Sequence, residues 1–441
     1  MAIGSSILFC FSYILYIYHV NFVIHSSQKK QLPNYKLSFL ALMEEVSDSV
    51  LRRSELPQTD SLTIKGLNLD DTATIDYEAI LDSFMSTGIQ ASQMAKAITE
   101  INKMLDWSLN DEPVASDEED EFKSEEERSR VRCRVWLSYT SNMISSGCRE
   151  YIKYLAKNKM IQAIVTTAGG IEEDFVKCLA SHHLGESFST PGIELRAKGL
   201  NRIGNMIVPN DSYCDFEDWL SPILDAMYDE QVNNGVVWTP SRVINRLGKE
   251  INNEESVYYW CWKNDIPVFC PALTDGSLGD MLYFHTYKRD GFTIDIVRDI
   301  RAINDLAIKS RKAGAIIIGG SVPKHHTLNA NLMRNGVDHA VYINTGHAFD
   351  ASDSGASPDE AVSWGKIKYT ATPIKVSAEA TLVFPWIVAK CFAQRQKDGR
   401  WDEKRANDSI YEKQVTFEER EKDRLGLAAL AEKYKSQQTN K

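Results

Sequence analysis

Val165-Thr166-Thr167-Ala168-Gly169-Gly170 and Ile316-Ile317-Ile318-Gly319-Gly320-Ser321 are two short, largely apolar runs that each stop on a pair of glycines. A β-branched run of this length reads as a buried strand. Paired glycines at its end let the backbone turn tightly, or approach a phosphate at the start of a helix. Neither run carries the three spaced glycines of a full dinucleotide fingerprint, so each is equally readable as a plain strand-to-helix turn. Working outward, the same grammar recurs. Arg134–Tyr139 reads as a strand, Ser145–Ala156 as a helix, and Gln162–Thr167 as a strand followed by a helix from Glu172. Later come strands at Pro267–Pro271, Ala315–Ile318, Ala340–Asn344 and Ile374–Ser377. A helix over Thr293–Ser310 places Ile296, Ile300, Ile303 and Ala307 on one face, and another spans Thr381–Ala393. Alternating strands and helices predict an α/β fold: a doubly wound parallel sheet with right-handed crossovers and its ligand site at the carboxyl ends of the strands.

The chain before this alternation has a different character. Met94, Ile98, Ile101 and Leu105 recur at spacings of four and three, which predicts one apolar helical stripe in an N-terminal helical arm over residues 43–110. Residues 111–130 hold Asp117, Glu118, Glu119, Asp120, Glu121, Glu125, Glu126 and Glu127 with almost nothing apolar, and self-repulsion predicts a mobile linker or surface loop. Residues 131–395 form the expected catalytic domain, and 396–441 a charged tail expected to form a peripheral helix.

Composition narrows the functional classes. Hydrophobic residues make up 43% of 441, enough for a large core. Fifty basic against 61 acidic residues leave a net charge of -11, which disfavours nucleic acid and suits a cationic ligand. The eight cysteines are scattered singly, without zinc or redox spacing, and read as reduced thiols of a cytoplasmic protein with no metal site. Ile7–Ile24 is apolar and nearly long enough to span a membrane. Three readings compete for it. A signal peptide would need basic residues before the run, and Met1–Ser6 has none; an anchor would have Lys29 and Lys30 as flankers but His19 and Asn21 inside; a third reading starts translation at Met43. The expectation is that residues 1–42 are an extension dispensable for chemistry, with membrane attachment only if that extension is real.

Chemistry concentrates between His325 and Lys366. The run His325-His326-Thr327-Leu328-Asn329-Ala330-Asn331-Leu332 is followed by Asn344-Thr345-Gly346-His347, then Asp350-Ala351-Ser352-Asp353-Ser354-Gly355, then Glu360-Ala361-Val362-Ser363-Trp364-Gly365-Lys366. Carboxylates in a glycine- and serine-rich loop bind either a metal or an amine, and a nearby aromatic is the usual partner of a cation. The acidic spacing lacks the alternation of a calcium loop, so an amine fits better. Glu172 and Glu173, just after the first glycine pair, suit either ribose hydroxyls or the first turn of a helix.

These residues, with Ser138-Tyr139-Thr140-Ser141-Asn142-Met143-Ile144-Ser145 and Phe269-Cys270-Pro271-Ala272-Leu273-Thr274-Asp275-Gly276-Ser277-Leu278-Gly279-Asp280, closely resemble the deoxyhypusine synthase family from about Tyr77 to Gln394, with a break at the acidic insertion. The resemblance implies a Rossmann-like homotetramer with active sites at the dimer interface. It also implies NAD as cofactor, spermidine as donor, and the translation factor 5A precursor as acceptor. It makes Lys366 the lysine that forms the imine intermediate and His325 the base. An amine must be neutral to attack, so such a lysine needs a partly desolvated site. Spermidine contacts fall by resemblance on Asp280, Asn329, Leu332, Asp353, Ser354, Glu360 and Trp364. NAD contacts fall on Ser141, Asn142, Ser145, Thr167, Ala168, Gly169, Glu172, Glu173, Asp275, Gly320, Thr345, Ala378 and Glu379. Three positions depart from the family pattern. Gly346-His347-Ala348 stands for alanine-glutamine-glutamate and Glu379 for an aspartate, both bearing on NAD; Ala351 stands for a glycine and adds a methyl group beside the amine.

The implied reaction moves the aminobutyl group of spermidine to Lys366 and then to a substrate lysine, releasing 1,3-diaminopropane. Three alternatives stay open at the level of sequence: a homospermidine synthase, with putrescine as acceptor; an inactive regulatory paralogue; and a stand-alone NAD-binding sensor.

Overall fold

The computed structural model describes residues 34–52, 62–71, 74–351 and 353–401. The chain divides into two units, Met1–Leu62 and Thr63–Lys441. In the first, the described element is a helix, Asn34–Val50. The apolar run Ile7–Ile24 and the tail beyond Trp401 lie outside the described residues. Among the described residues no helix is long and apolar enough to cross a membrane.

The second unit is built on a six-stranded sheet of β1 (Arg134–Tyr139), β2 (Ala163–Val165), β6 (Val268–Phe269), β7 (Ala313–Ile318), β8 (His339–Asn344) and β9 (Ile374–Ser377). Their order across the sheet is β6-β2-β1-β7-β8-β9, and every pairing is parallel. Ranked by chain order among themselves, the six strands run 3-2-1-4-5-6, the arrangement in which winding reverses between the first strand and the fourth. The reversal lies between β1 and β7, and it opens a crevice beyond their carboxyl ends. β3 (His183–Leu184), β4 (Leu200–Ile203) and β5 (Met206–Pro209) form a small antiparallel sheet inserted between β2 and β6, which the sequence pattern did not reveal.

Both faces of the large sheet are buried, and side-chain alternation separates two cores. Val135, Leu137, Tyr139, Ile316, Ile318, Val341 and Ile343 point into one, with helices Ile89–Asp106, Arg149–Lys157, Ala168–Leu179 and Val257–Lys263. Trp136, Ala315, Ile317, Ala340 and Tyr342 point into the other, with helices Ile296–Ile308, Ser321–Leu332 and Pro358–Ser363. The helical stripe of the N-terminal arm is present, with Met94, Ile98 and Ile101 buried in the first core and Leu105 packed against it.

Two expectations are corrected. The helix at 296–308 buries Ile303 and Ala307 but leaves Ile296 and Ile300 exposed, because only its C-terminal half meets the sheet. The acidic stretch is not a mobile linker. It folds into short helical turns and a capped helix, Glu125–Arg130, around the buried Arg128. The Arg128 guanidinium donates to Leu109 O at 2.7 Å, Glu112 O at 2.6 Å and Phe122 O at 3.2 Å, and pairs with Glu118 at 3.4 Å. One buried cation thus satisfies several backbone carbonyls and offsets the local negative charge, an arrangement that a count of acidic residues does not register.

Candidate active site

Because all six strands are parallel, their carboxyl ends share one edge, and each is followed by residues singled out in the sequence. Ser141, Asn142 and Ser145 follow β1, and Thr167, Ala168 and Gly169 follow β2. Asp275 and Asp280 follow β6, Gly320 follows β7, Thr345 follows β8, and Ala378 and Glu379 follow β9. The loops touch at the crevice. A Cβ on Gly169 would lie 2.9 Å from the Cβ of Ser141, and one on Gly320 would lie 2.6 Å from Ser354 O and 2.7 Å from Asp353 O, so any larger residue at either place would push the loops apart.

Beside this crevice the helix Ser321–Leu332 presents His325, Asn329 and Leu332 at i, i+4 and i+7, on one face. Lys366 stands in the turn after the helix Pro358–Ser363, held by its backbone N–H donating to Ala361 O at 2.9 Å. Its side chain is only 9% exposed, and its Nζ lies 3.2 Å from His325 Nε2 and 5.4 Å from the ring centre of Trp364, which is itself 61% exposed. Lys324 is buried next to His325 with its Nζ 5.1 Å from the Tyr342 ring. Burial pushes the Lys324 amine below the usual lysine range, and Lys375 and Lys366 add to this while Glu360 and Asp353 oppose it. The Tyr342 phenol, buried with no hydrogen-bond partner, is pushed up by burial and by Glu360. Lys366, His325, Trp364, Lys324, Glu360, Asp353 and Tyr342 therefore form one cluster of amines and carboxylates.

The loop carrying Asp353 and Ser354 is fastened at several points. Ser321 N donates to Asp353 O, and Lys375 Nζ donates to Gly346 O at 2.7 Å and to Gly355 O. Ala351 sits at φ 62 and ψ -165, backbone that an alanine adopts only under strain. The departure from glycine noted in the sequence is thus felt in the backbone as well as in an added methyl group.

A second cluster lies at the start of the helix Ala168–Leu179. Glu172 is buried and committed: its Oε2 accepts from Leu278 N at 2.8 Å, at the start of the helix Ser277–Lys288 that carries Asp280. Glu173 is also buried. Its Oε1 accepts from Tyr213 Oη at 3.2 Å, and its Oε2 lies 3.2 Å from His182 Nε2. Burial, with Glu172 adding, pushes the Glu173 carboxyl up to about 7. Burial, with Lys177 adding, lowers His182 to about 4.

Some expected neighbours are not brought together within the chain. Asp280 follows β6, whereas Asp353, Glu360 and Lys366 follow β8, four strand spacings across the sheet, or about 19 Å. Sequence reading missed Lys324, Tyr342, Lys375, His182 and Tyr213. Lys324 adjoins His325 and was findable, but Tyr342 reads as core in a strand, and the others become neighbours only through the fold. Among the described residues no cluster of histidine, cysteine and carboxylate fits a metal ion.

A parallel sheet with a winding reversal, glycine turns after two of its strands, and a lysine–histidine pair walled by carboxylates defines an α/β enzyme of the Rossmann-like class. Known proteins agree. The family model described as deoxyhypusine synthase matches residues 79–391. A relative from Dictyostelium discoideum named "Probable deoxyhypusine synthase" is 58% identical over 333 residues, 76% of this chain and 87% of the relative. The deoxyhypusine synthase of Senecio vernalis is 55% identical over 359 residues, 81% of this chain and 96% of the relative. A solved structure titled "Crystal Structure of a putative deoxyhypusine synthase from Entamoeba histolytica" superposes with a TM-score of 0.55 at 36% identity, covering 75% of this chain and 97% of that one. The chain belongs to the deoxyhypusine synthase family, a family of transferases.

Proposed function

We propose that the chain transfers the 4-aminobutyl group of spermidine to one lysine of the translation factor 5A precursor, releasing 1,3-diaminopropane, with NAD as a recycled cofactor and in the cytoplasm. The observation that carries this reading is the pair Lys366 Nζ and His325 Nε2, 3.2 Å apart at the mouth of a cluster of carboxylates. The residues at the crevice fit a dinucleotide. Thr167 Oγ1 and Glu173 Oε2 are buried without hydrogen-bond partners, beside the Gly169–Gly170 turn at the start of the helix Ala168–Leu179. Ser141, Asn142, Ser145, Thr167, Ala168, Gly169, Glu173, Asp275, Gly320, Thr345, Ala378 and Glu379 would hold NAD, which when bound supplies the hydride acceptor and later the hydride donor. Glu172, whose carboxylate already binds Leu278 N, is better read as the residue that fixes the helix bearing Asp280.

Glu360, Asp353 and Asp280 would bind the ammonium groups of spermidine, Trp364 would cover its chain, and Asn329, Ser354 and Leu332 would complete the wall. His325 takes the proton released as the amine carbon is dehydrogenated, and the Lys366 amine attacks the resulting imine carbon and expels the diamine. The acceptor lysine then displaces Lys366. The separation of Asp280 from Lys366 in one chain supports a site completed by a second copy at a dimer interface, within a homotetramer; the exposed Trp364 is consistent with this.

The test is incubation with NAD, spermidine labelled in its aminobutyl part, and the precursor protein, beside a parallel reaction with putrescine. Label on the precursor supports the proposal, and label only on putrescine overturns the acceptor. Lys366→Arg should retain NAD binding and lose transfer, because a guanidinium stays protonated. Wild-type transfer by that variant removes Lys366 from the mechanism.

A further inference from the structure

The Glu173–His182 contact has no part in the reaction as derived above. His182 lies just beyond the helix Ala168–Leu179, in the segment leading to β3. The two side chains are 7% and 5% exposed, with Glu173 Oε2 and His182 Nε2 3.2 Å apart but out of line, so that Glu173 Oε2 lacks a hydrogen-bond partner and the imidazole has only the Ser145 backbone beside it. Such groups in a dry site are costly unless a ligand or a proton shift satisfies them. Glu173 is also the carboxylate best placed to accept ribose hydroxyls at the end of β2, and to accept two of them it must be ionised.

The surrounding charges decide where the proton rests. On the Glu173 side stand Glu172 and Lys177 from the same helix and Tyr213 from the helix Asp211–Asn234. On the His182 side stand Lys177, Arg149 from the helix Arg149–Lys157, His183, and the Ser145 backbone. Lys177 is fixed by donating to Ile144 O at 2.9 Å, Ser146 O at 3.0 Å and Ser145 O at 3.1 Å, and Arg149 by a 2.7 Å ion pair with Asp174. Both cations oppose an imidazolium, and the neighbouring Glu172 opposes a second carboxylate. The pair therefore rests neutral at moderately acid pH, with the proton on Glu173.

Building on the dinucleotide reading of this crevice, we propose that His182 is a positioning residue of the cofactor site: it takes the proton of the Glu173 carboxyl when that carboxylate turns to the ribose hydroxyls of NAD. One O–H bond breaks at Glu173 Oε2 and one N–H bond forms at His182 Nε2. The pair passes from neutral to an internal ion pair, and no proton leaves the protein. Without His182 the proton must go to solvent, and cofactor binding becomes coupled to pH.

The experiment is titration calorimetry of NAD onto the full chain at about pH 6 and about pH 8, each in two buffers of different ionisation enthalpy, which counts protons released on binding. Wild type should release close to none at either pH. His182→Gln and His182→Phe should bind NAD near the wild-type level at about pH 8. At about pH 6 they should release nearly one proton and bind roughly tenfold more weakly, the slope expected for one coupled proton per pH unit. A loss of affinity that is the same at both pH values, with no proton released, would show a merely structural role and overturn the proposal. So would variants that behave as wild type throughout. Glu173→Gln separates the two readings: if it binds NAD as tightly as wild type, the assignment of Glu173 to the cofactor is wrong and His182 falls with it. If it weakens NAD while the His182 variants show no pH coupling, only the present inference fails.

Discussion

Replacing Glu360 by glutamine keeps the shape of the side chain and removes one negative charge from the amine cluster. A charge-assisted contact to an ammonium contributes about 1.5 to 3 kcal/mol, the upper end applying to a dry site. Glu360 is only half-buried and neighbours the exposed Trp364, so solvent screening places it near the lower end. About 1.5 kcal/mol corresponds to roughly a tenfold rise in KM for spermidine. A second effect opposes it in part. Glu360 is the largest charge favouring the cationic form of buried Lys324, and without it that amine gives up its proton more readily, which relieves some repulsion of the polyamine. The assay is steady-state KM for spermidine alongside equilibrium binding of NAD to the same preparation. NAD affinity should change by less than about twofold, since no dinucleotide contact is touched. Equal weakening of both ligands would refute the reasoning by pointing to a fold defect, and an unchanged KM for spermidine would remove Glu360 from the amine site.

Arg128→Met should lower stability by about 3 kcal/mol and make residues 111–130 a site of limited proteolysis, because the buried carbonyls of Leu109 and Phe122 and the half-buried one of Glu112 lose their donor; resistance equal to wild type would contradict this. Ala351→Gly relieves left-handed backbone and should raise the thermal midpoint by the equivalent of about 1 kcal/mol, a gain that scanning calorimetry would register. Glu100→Gln tests an acid-sensitive tie: burial pushes the Glu100 carboxyl up, but His339 at 2.7 Å and Lys103 at 3.1 Å outweigh it and hold it below its ordinary 4.5. A depressed folded-state value means stability present above about pH 4.5 and lost as pH falls through the folded value, so the stability gap between wild type and variant in denaturant titrations should narrow below that pH; a gap independent of pH would refute the tie.

Much of the fold was legible because buried parallel strands announce themselves. β1 and β9 fall on Arg134–Tyr139 and Ile374–Ser377, the bounds read from the apolar runs. The antiparallel insert escaped because β3 has only two residues, His183 and Leu184, and the other two strands of that sheet, β4 and β5, are half-exposed, so no periodicity marks them. The helices at 277–288 and 321–332 escaped for a different reason: polar side chains needed at the crevice interrupt their apolar stripes. The acidic stretch was misjudged because local charge density says nothing about a single arginine, Arg128, folding back onto carbonyls as many as 19 residues away.

The site divides in the same way. The reactive groups of 325–366 were visible as an excess of polar chemistry, and the glycine turns as punctuation after strands, because both are properties of short stretches. Which groups meet was not visible. Lys366 and His325 are 41 residues apart and become neighbours because β7 and β8 are adjacent parallel strands whose following helices return to the same edge. Glu172 and Glu173 are adjacent in sequence yet point to different tasks, one to the start of the helix at 277–288 and the other to Tyr213 and His182, since successive residues on a helix are turned by about 100°. Residue type and spacing therefore determined the strands and the chemistry on offer, while the order of strands in the sheet decided which charges share a low-dielectric space, and with that which of them hold their protons.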